Sequence, residues 1–81
     1  MIDRETARLR LNRVFQDIFD DKSLEIADSM TAADVEGWDS LTHIDLLVQV
    51  ELEFAIKLST AEVRALKNVG DFVALIAQKA R

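Results

Sequence analysis

Ser40 and His43 stand three residues apart, a spacing that puts both on one face of a helix, with Asp39 and Asp45 close by. A hydroxyl, an imidazole and carboxylates so arranged are the parts of a nucleophile–base pair. A hydrolase also needs an oxyanion hole and a sheltered pocket, which one surface helix does not supply. The pair is therefore not read as a catalytic centre, the chain is not read as an enzyme, and His43 is expected at an exposed or rim position. A calcium loop starting at Asp34 places Glu36 third, but it places Trp38 fifth and Asp39 where glycine is required. One histidine and no cysteine leave no multi-histidine or thiolate metal site, no disulfide and no cysteine nucleophile. Any thiol chemistry must come from outside the polypeptide.

The strongest local signal is Gly37-Trp38-Asp39-Ser40-Leu41. Asp39 is suited to cap a helix, which leaves Ser40 at the first helical position with its hydroxyl outward. Glycine two residues before the cap lets the backbone turn sharply into the helix. A helix start presents unpaired N–H groups and the positive end of the macrodipole, so a phosphate ester on Ser40 would be tolerated there. The same residues also serve as a plain polar helix start, and these physical arguments do not separate the two readings.

The elements that position this site follow from periodicity. Asp3 caps a first helix in which Ala7, Leu11, Val14, Phe15 and Ile18 share one face, with Leu9 off it; the pattern ends near Phe19. A connection of about twenty residues follows, long enough that it must be functional or internally packed. Leu24, Ile26, Met30 and Val35 are its expected anchors, and Thr31 with Asp34 caps a brief turn within it. The second helix runs from Ser40 to Phe54, with Leu46, Leu47, Val50 and Phe54 as core. Leu41, Ile44 and Val48 form a neighbouring strip, more apolar than one buried stripe requires, which is either deep core or a binding face. Ser59 and Glu62 form a capping box for a short third helix to about Leu66. Asn68 caps a fourth, carrying Val69, Phe72, Val73, Ile76 and Ala77. The expected fold is all-α: a bundle of three longer helices and one short third helix.

With 81 residues, 49% hydrophobic and no proline, residues 1–81 are read as a single domain, a monomer whose compact core is locally encoded. The formal net charge is −5, but the span from Asp17 to Glu53 carries −10 and the remainder +5. Nucleic acid is disfavoured, since binding phosphate backbones needs excess positive charge. An acidic face suits basic partners, although a solvated surface explains it equally. Apolar runs are too short to span a membrane and no signal-peptide pattern opens the chain, so a cytoplasmic location is expected.

Gly37-Trp38-Asp39-Ser40-Leu41, followed by Ile44, Leu46-Leu47, Val50 and Glu51-Leu52-Glu53-Phe54, resembles the acyl carrier protein family, whose hallmark is Asp-Ser-Leu opening the second helix. The likeness continues through Ile56-Lys57-Leu58-Ser59 and Asn68-Val69-Gly70-Asp71-Phe72 and so covers nearly the whole chain. The resemblance implies that Ser40 carries 4′-phosphopantetheine, installed from coenzyme A by a separate phosphopantetheinyl transferase. The arm's thiol would hold acyl groups as thioesters for partner enzymes of fatty acid, polyketide or related biosynthesis. It further implies that Asp39 helps the transferase position its metal and the serine, and that Leu41, Ile44, Asp45 and Val48 face partners with basic docking surfaces.

Four features depart from the plain fatty-acid pattern: Trp38 where a small residue is usual, His43 after the motif, Leu52 in place of an acid, and the basic Arg64 and Lys67. They point to a free-standing carrier of a specialised pathway. A peptidyl or aminoacyl carrier and an unmodified helical interaction module are the alternatives. Ile44, Leu47, Val48 and Leu66 are the expected lining of a cleft for an acyl chain.

Overall fold

The four helices are built where capping residues meet apolar periodicity, and the computed structural model describes residues 2–80. Helix α1 spans Arg4–Ile18, α2 Ser40–Phe54, α3 Thr60–Arg64 and α4 Val69–Lys79; a 3₁₀ turn, Ala32–Asp34, interrupts the long connection. The protein is an all-α four-helix bundle with no strand among the described residues. Each expected cap forms. Asp3 accepts from the Thr6 N–H at 2.6 Å, Ser59 from Glu62 at 3.1 Å, and Asn68 from Asp71 at 2.8 Å. Helix α3 ends two residues before the expected Leu66, because the Leu66 N–H bonds the Val63 carbonyl and the chain tightens before α4.

The core lies where α1 packs against both α2 and α4. Leu11 and Phe15 of α1, Leu46 and Val50 of α2, and Phe72 and Ile76 of α4 are all but sealed from solvent. No helix among the described residues is long and apolar enough to cross a membrane.

The long connection is held rather than loose. Ile26 and Val35 are buried, while Leu24 and Met30 pack half-buried against the core. Its backbone is tied down by polar side chains of α1: Asn12 Oδ1 accepts the Ile26 N–H at 2.8 Å, and Gln16 donates to the carbonyls of Lys22 and Leu24. At its far end the N–H groups of Val69 and Gly70 donate to the carbonyls of Met30 and Asp28, both at 2.8 Å. A Cβ on Gly70 would stand 3.0 Å from the Asp28 side chain, so glycine permits this close approach of connection and helix. The connection thus delivers residues 37–39 to a fixed place beside the first turn of α2.

Candidate functional site

At the start of α2, Gly37 adopts φ +87°, a left-handed conformation open to glycine at little cost, and the chain turns into the helix. Asp39 is the N-cap. Its Oδ1 accepts the N–H groups of Leu41 and Thr42, each at 3.0 Å. Thr42 answers in both directions: its Oγ1 accepts the Asp39 N–H at 2.7 Å and donates to the Gly37 carbonyl at 2.8 Å. The backbone hydrogen bond from Thr42 is the main reason the Asp39 carboxyl lies below its ordinary range. Asp39 is therefore ionised at neutral pH.

Ser40 is the first residue of α2, exposed, and its hydroxyl makes no hydrogen bond among the described residues. Nothing in the fold uses that hydroxyl, and nothing covers it. A phosphate-linked arm on Oγ fits here without displacing any packed side chain. The sequence expectation of open helix-start donors needs one correction. The N–H groups of Leu41 and Thr42 are taken by Asp39 and that of Asp39 by Thr42, so the helix has largely capped itself.

His43 is half-buried at the rim, as expected, but it is engaged rather than free. The Trp38 indole N–H donates to His43 Nδ1 at 3.1 Å, and the two rings stack with centroids 6.1 Å apart. Trp38 in turn meets Phe15 edge-on at 5.3 Å, which ties the pair to the core. With Nδ1 accepting, the neutral imidazole carries its proton on Nε2. This pairing and the reciprocal cap from Thr42 were missed in the sequence. The available signal was that the only tryptophan and only histidine of the chain bracket Ser40.

The strip on α2 is resolved in favour of a surface. Leu41 is 76% exposed, Ile44 58% and Val48 47%, so none of them belongs to the core; Leu52 extends the same face at 72%. Leu46, Val50 and Phe54 fill the opposite side, as their periodicity requires. Asp45 is exposed beside the strip. The other two acids of α2 are engaged elsewhere: Glu51 accepts the Leu58 N–H at 2.8 Å, and Glu53 pairs with Arg10 at 2.6 Å.

Between α2 and α3 runs an open groove of about 470 Å³, lined by Ile44, Leu47, Val48, Leu58, Val63 and Arg64 among others. Three of the four residues expected in such a cleft are present. Leu66 is not: past the end of α3 the chain turns away, and its side chain faces a separate, smaller cavity shared with Trp38 and His43.

No protein-family model matches the chain. Over 55 residues it is 33% identical to an acyl carrier protein of Thermotoga maritima, an alignment covering 68% of each protein. Its fold superposes on the solution structure of a holo acyl carrier protein from Geobacter metallireducens with a TM-score of 0.86 and 37% identity. That match covers 90% of this chain and 84% of the other. With Asp39-Ser40-Leu41 opening its second helix, the chain belongs to the acyl carrier protein family.

Proposed function

We propose that this protein carries acyl intermediates on a 4′-phosphopantetheine arm attached to Ser40 Oγ and presents them to the enzymes of a biosynthetic pathway. The observation that carries the reading is the unengaged, exposed hydroxyl of Ser40 at the first position of a rigidly capped helix. When attached, the arm supplies the thiol that the cysteine-free chain lacks. The polypeptide's own work is positional. Asp39 and Thr42 fix the helix start, so the serine has one orientation toward a transferase, and the ionised Asp39 carboxylate is available beside it for a transferase-bound metal. Leu41, Ile44 and Val48, with Asp45 alongside, offer partner enzymes an apolar strip with one flanking acid that begins next to the attachment point. The mixed charge of the α2–α3 side, with Arg64 on the groove, supports a dedicated pathway over general fatty-acid partners.

Incubation with coenzyme A and a broad-specificity phosphopantetheinyl transferase tests this reading by intact mass. A gain of one arm that disappears in Ser40→Ala is the expected result. No gain in the intact protein overturns the carrier reading in favour of an unmodified interaction module. An arm recovered on Ser23, Ser29 or Ser59 by peptide mapping overturns the assignment to Ser40.

A further inference from the structure

The first turn of α2 has few backbone donors left for an anion, since Asp39 and Thr42 satisfy three of its N–H groups between them. A phosphate on Ser40 also stands one residue from the Asp39 carboxylate. Its remaining donors and its countercharge must come from side chains.

A cavity of about 100 Å³ is lined by Trp38, His43, Leu66, Lys67, Asn68 and Phe72 together with Ala32; Ser40 is not on its wall, but His43, three residues further along α2, is. Three of these residues present donors. His43 carries its proton on Nε2 because Trp38 occupies Nδ1. Asn68 Oδ1 accepts the Asp71 N–H at 2.8 Å, which leaves its NH₂ group as the free end. Lys67 adds an ammonium that pairs with no carboxylate among the described residues. No acid lines the cavity, although the chain is acidic overall. The nearest carboxylates in sequence, Asp39 and Asp71, are committed to the backbone; Asp71 Oδ2 accepts the Lys67 N–H at 3.0 Å. Size separates this cavity from the 470 Å³ groove, with which it shares no lining residue: it suits a compact anion and is too small for a hydrocarbon tail. His43 is three residues beyond Ser40 on one helix, a separation of about 5–6 Å between Cβ atoms, which a phosphate on Oγ bridges.

We propose that this cavity binds the phosphodiester at the root of the arm on Ser40, with His43 Nε2–H, the Asn68 amide and the Lys67 ammonium as its donors. Trp38 is then a positioning residue, fixing the imidazole so that the donating nitrogen faces the phosphate. The consequence is an arm whose root is held against the protein instead of swinging freely. The inference rests on modification of Ser40.

The test uses the holo protein made with coenzyme A and a broad-specificity transferase and checked by mass. Its readouts are the ³¹P resonance of the phosphodiester and the ¹⁵N resonances of the His43 ring. The ring signal of Nε2 is expected to move between unmodified and holo protein, and the phosphorus signal to shift in Lys67→Ala and in His43→Phe. Lys67 is exposed, so its variant leaves the packing intact and answers even if His43→Phe fails to fold. A complete mass gain with the phosphorus signal identical in wild type and Lys67→Ala, and with the His43 ring unmoved, overturns the phosphate cradle alone. Absence of any mass gain overturns the carrier reading, and this inference with it.

Discussion

Asp39 and Thr42 cap each other: the carboxylate of the first accepts the N–H of the second at 3.0 Å, and the hydroxyl of the second accepts the N–H of the first at 2.7 Å. This exchange brackets Ser40 and Leu41 and converts a flexible helix start into a rigid one. A threonine in place of the usual Glu or Gln keeps the box short, leaving its hydroxyl close enough to bond the Gly37 carbonyl as well.

Thr42→Val keeps the shape of the side chain and removes both of those bonds. It is expected to cost about 0.5–1.5 kcal/mol, measured by denaturant unfolding, because the exposed Asp39 N–H and Gly37 carbonyl exchange a fixed partner for water. Amide exchange at Ser40 and Leu41 should rise with it. Unchanged exchange there would mean that Asp39 alone holds the junction.

Phe54 is 5% exposed, and the Arg10 guanidinium lies over its ring at 4.5 Å while bonding Glu53. Phe54→Ala should cost about 3–5 kcal/mol. Against a total of about 5–15 kcal/mol for a domain, that leaves little or no folded population on warming. A thermal melt that hardly moves would place Phe54 outside the cooperative core.

Glu62 joins two helices, accepting from Lys79 at 2.6 Å and from the Ser59 N–H at 3.0 Å. The Lys79 hydrogen bond, followed by that from Ser59, holds its carboxyl down from about 4.5 to about 2. A depressed carboxyl stabilises the fold above its unfolded pKa, and that contribution fades as pH falls from about 4.5 toward 2. Asp3 and Asp39 at their caps, and Asp21 in the turn to Ser23, are also lowered by local hydrogen bonds, so acid weakens these local structures in the same direction. Melting temperature should therefore drop over this window. The difference between wild type and Glu62→Gln should shrink toward zero near its lower end; a constant difference would show that the ion pair is not what the titration reads.

Much of this organisation is legible from residue types alone. The caps at Asp3, Asp39, Ser59 and Asn68 set the helix starts, and the row Leu46, Val50 and Phe54 identifies the buried side of α2. Ile44 and Val48 are ambiguous in sequence because α2 is apolar on two sides, and periodicity identifies stripes without saying which one meets solvent. The Trp38–His43 pair is invisible for a different reason. Its members are five residues apart across a loop–helix junction, where no helical spacing applies, and only the tied-down connection brings the indole over the imidazole. The return half of the Asp39 cap is hidden likewise, since Thr42 is a poor predictor of a capping box.

The groove between α2 and α3 gives the final prediction. A long acyl chain costs about 0.8 kcal/mol per CH₂ left in water, so a carrier gains by admitting part of it between apolar walls. Ile44, Leu47, Val48, Leu58 and Val63 supply those walls within about 470 Å³, and the opening faces solvent without any need to break the core at Leu46 and Val50. Enlarging the groove inward would compete with close packing there, which limits how much chain can enter. A medium or long acyl group on the arm should thus raise the melting temperature modestly, whereas an acetyl group should not. The methyl resonances of Ile44, Leu47, Val48 and Val63 should shift between bare-arm and long-acyl forms. Those of Leu66 should stay, because that side chain faces the smaller cavity on the other side. Methyls of the groove unchanged while signals near Ser40 respond would mean that the chain remains outside, and that the apolar wall of α2 serves partner enzymes alone.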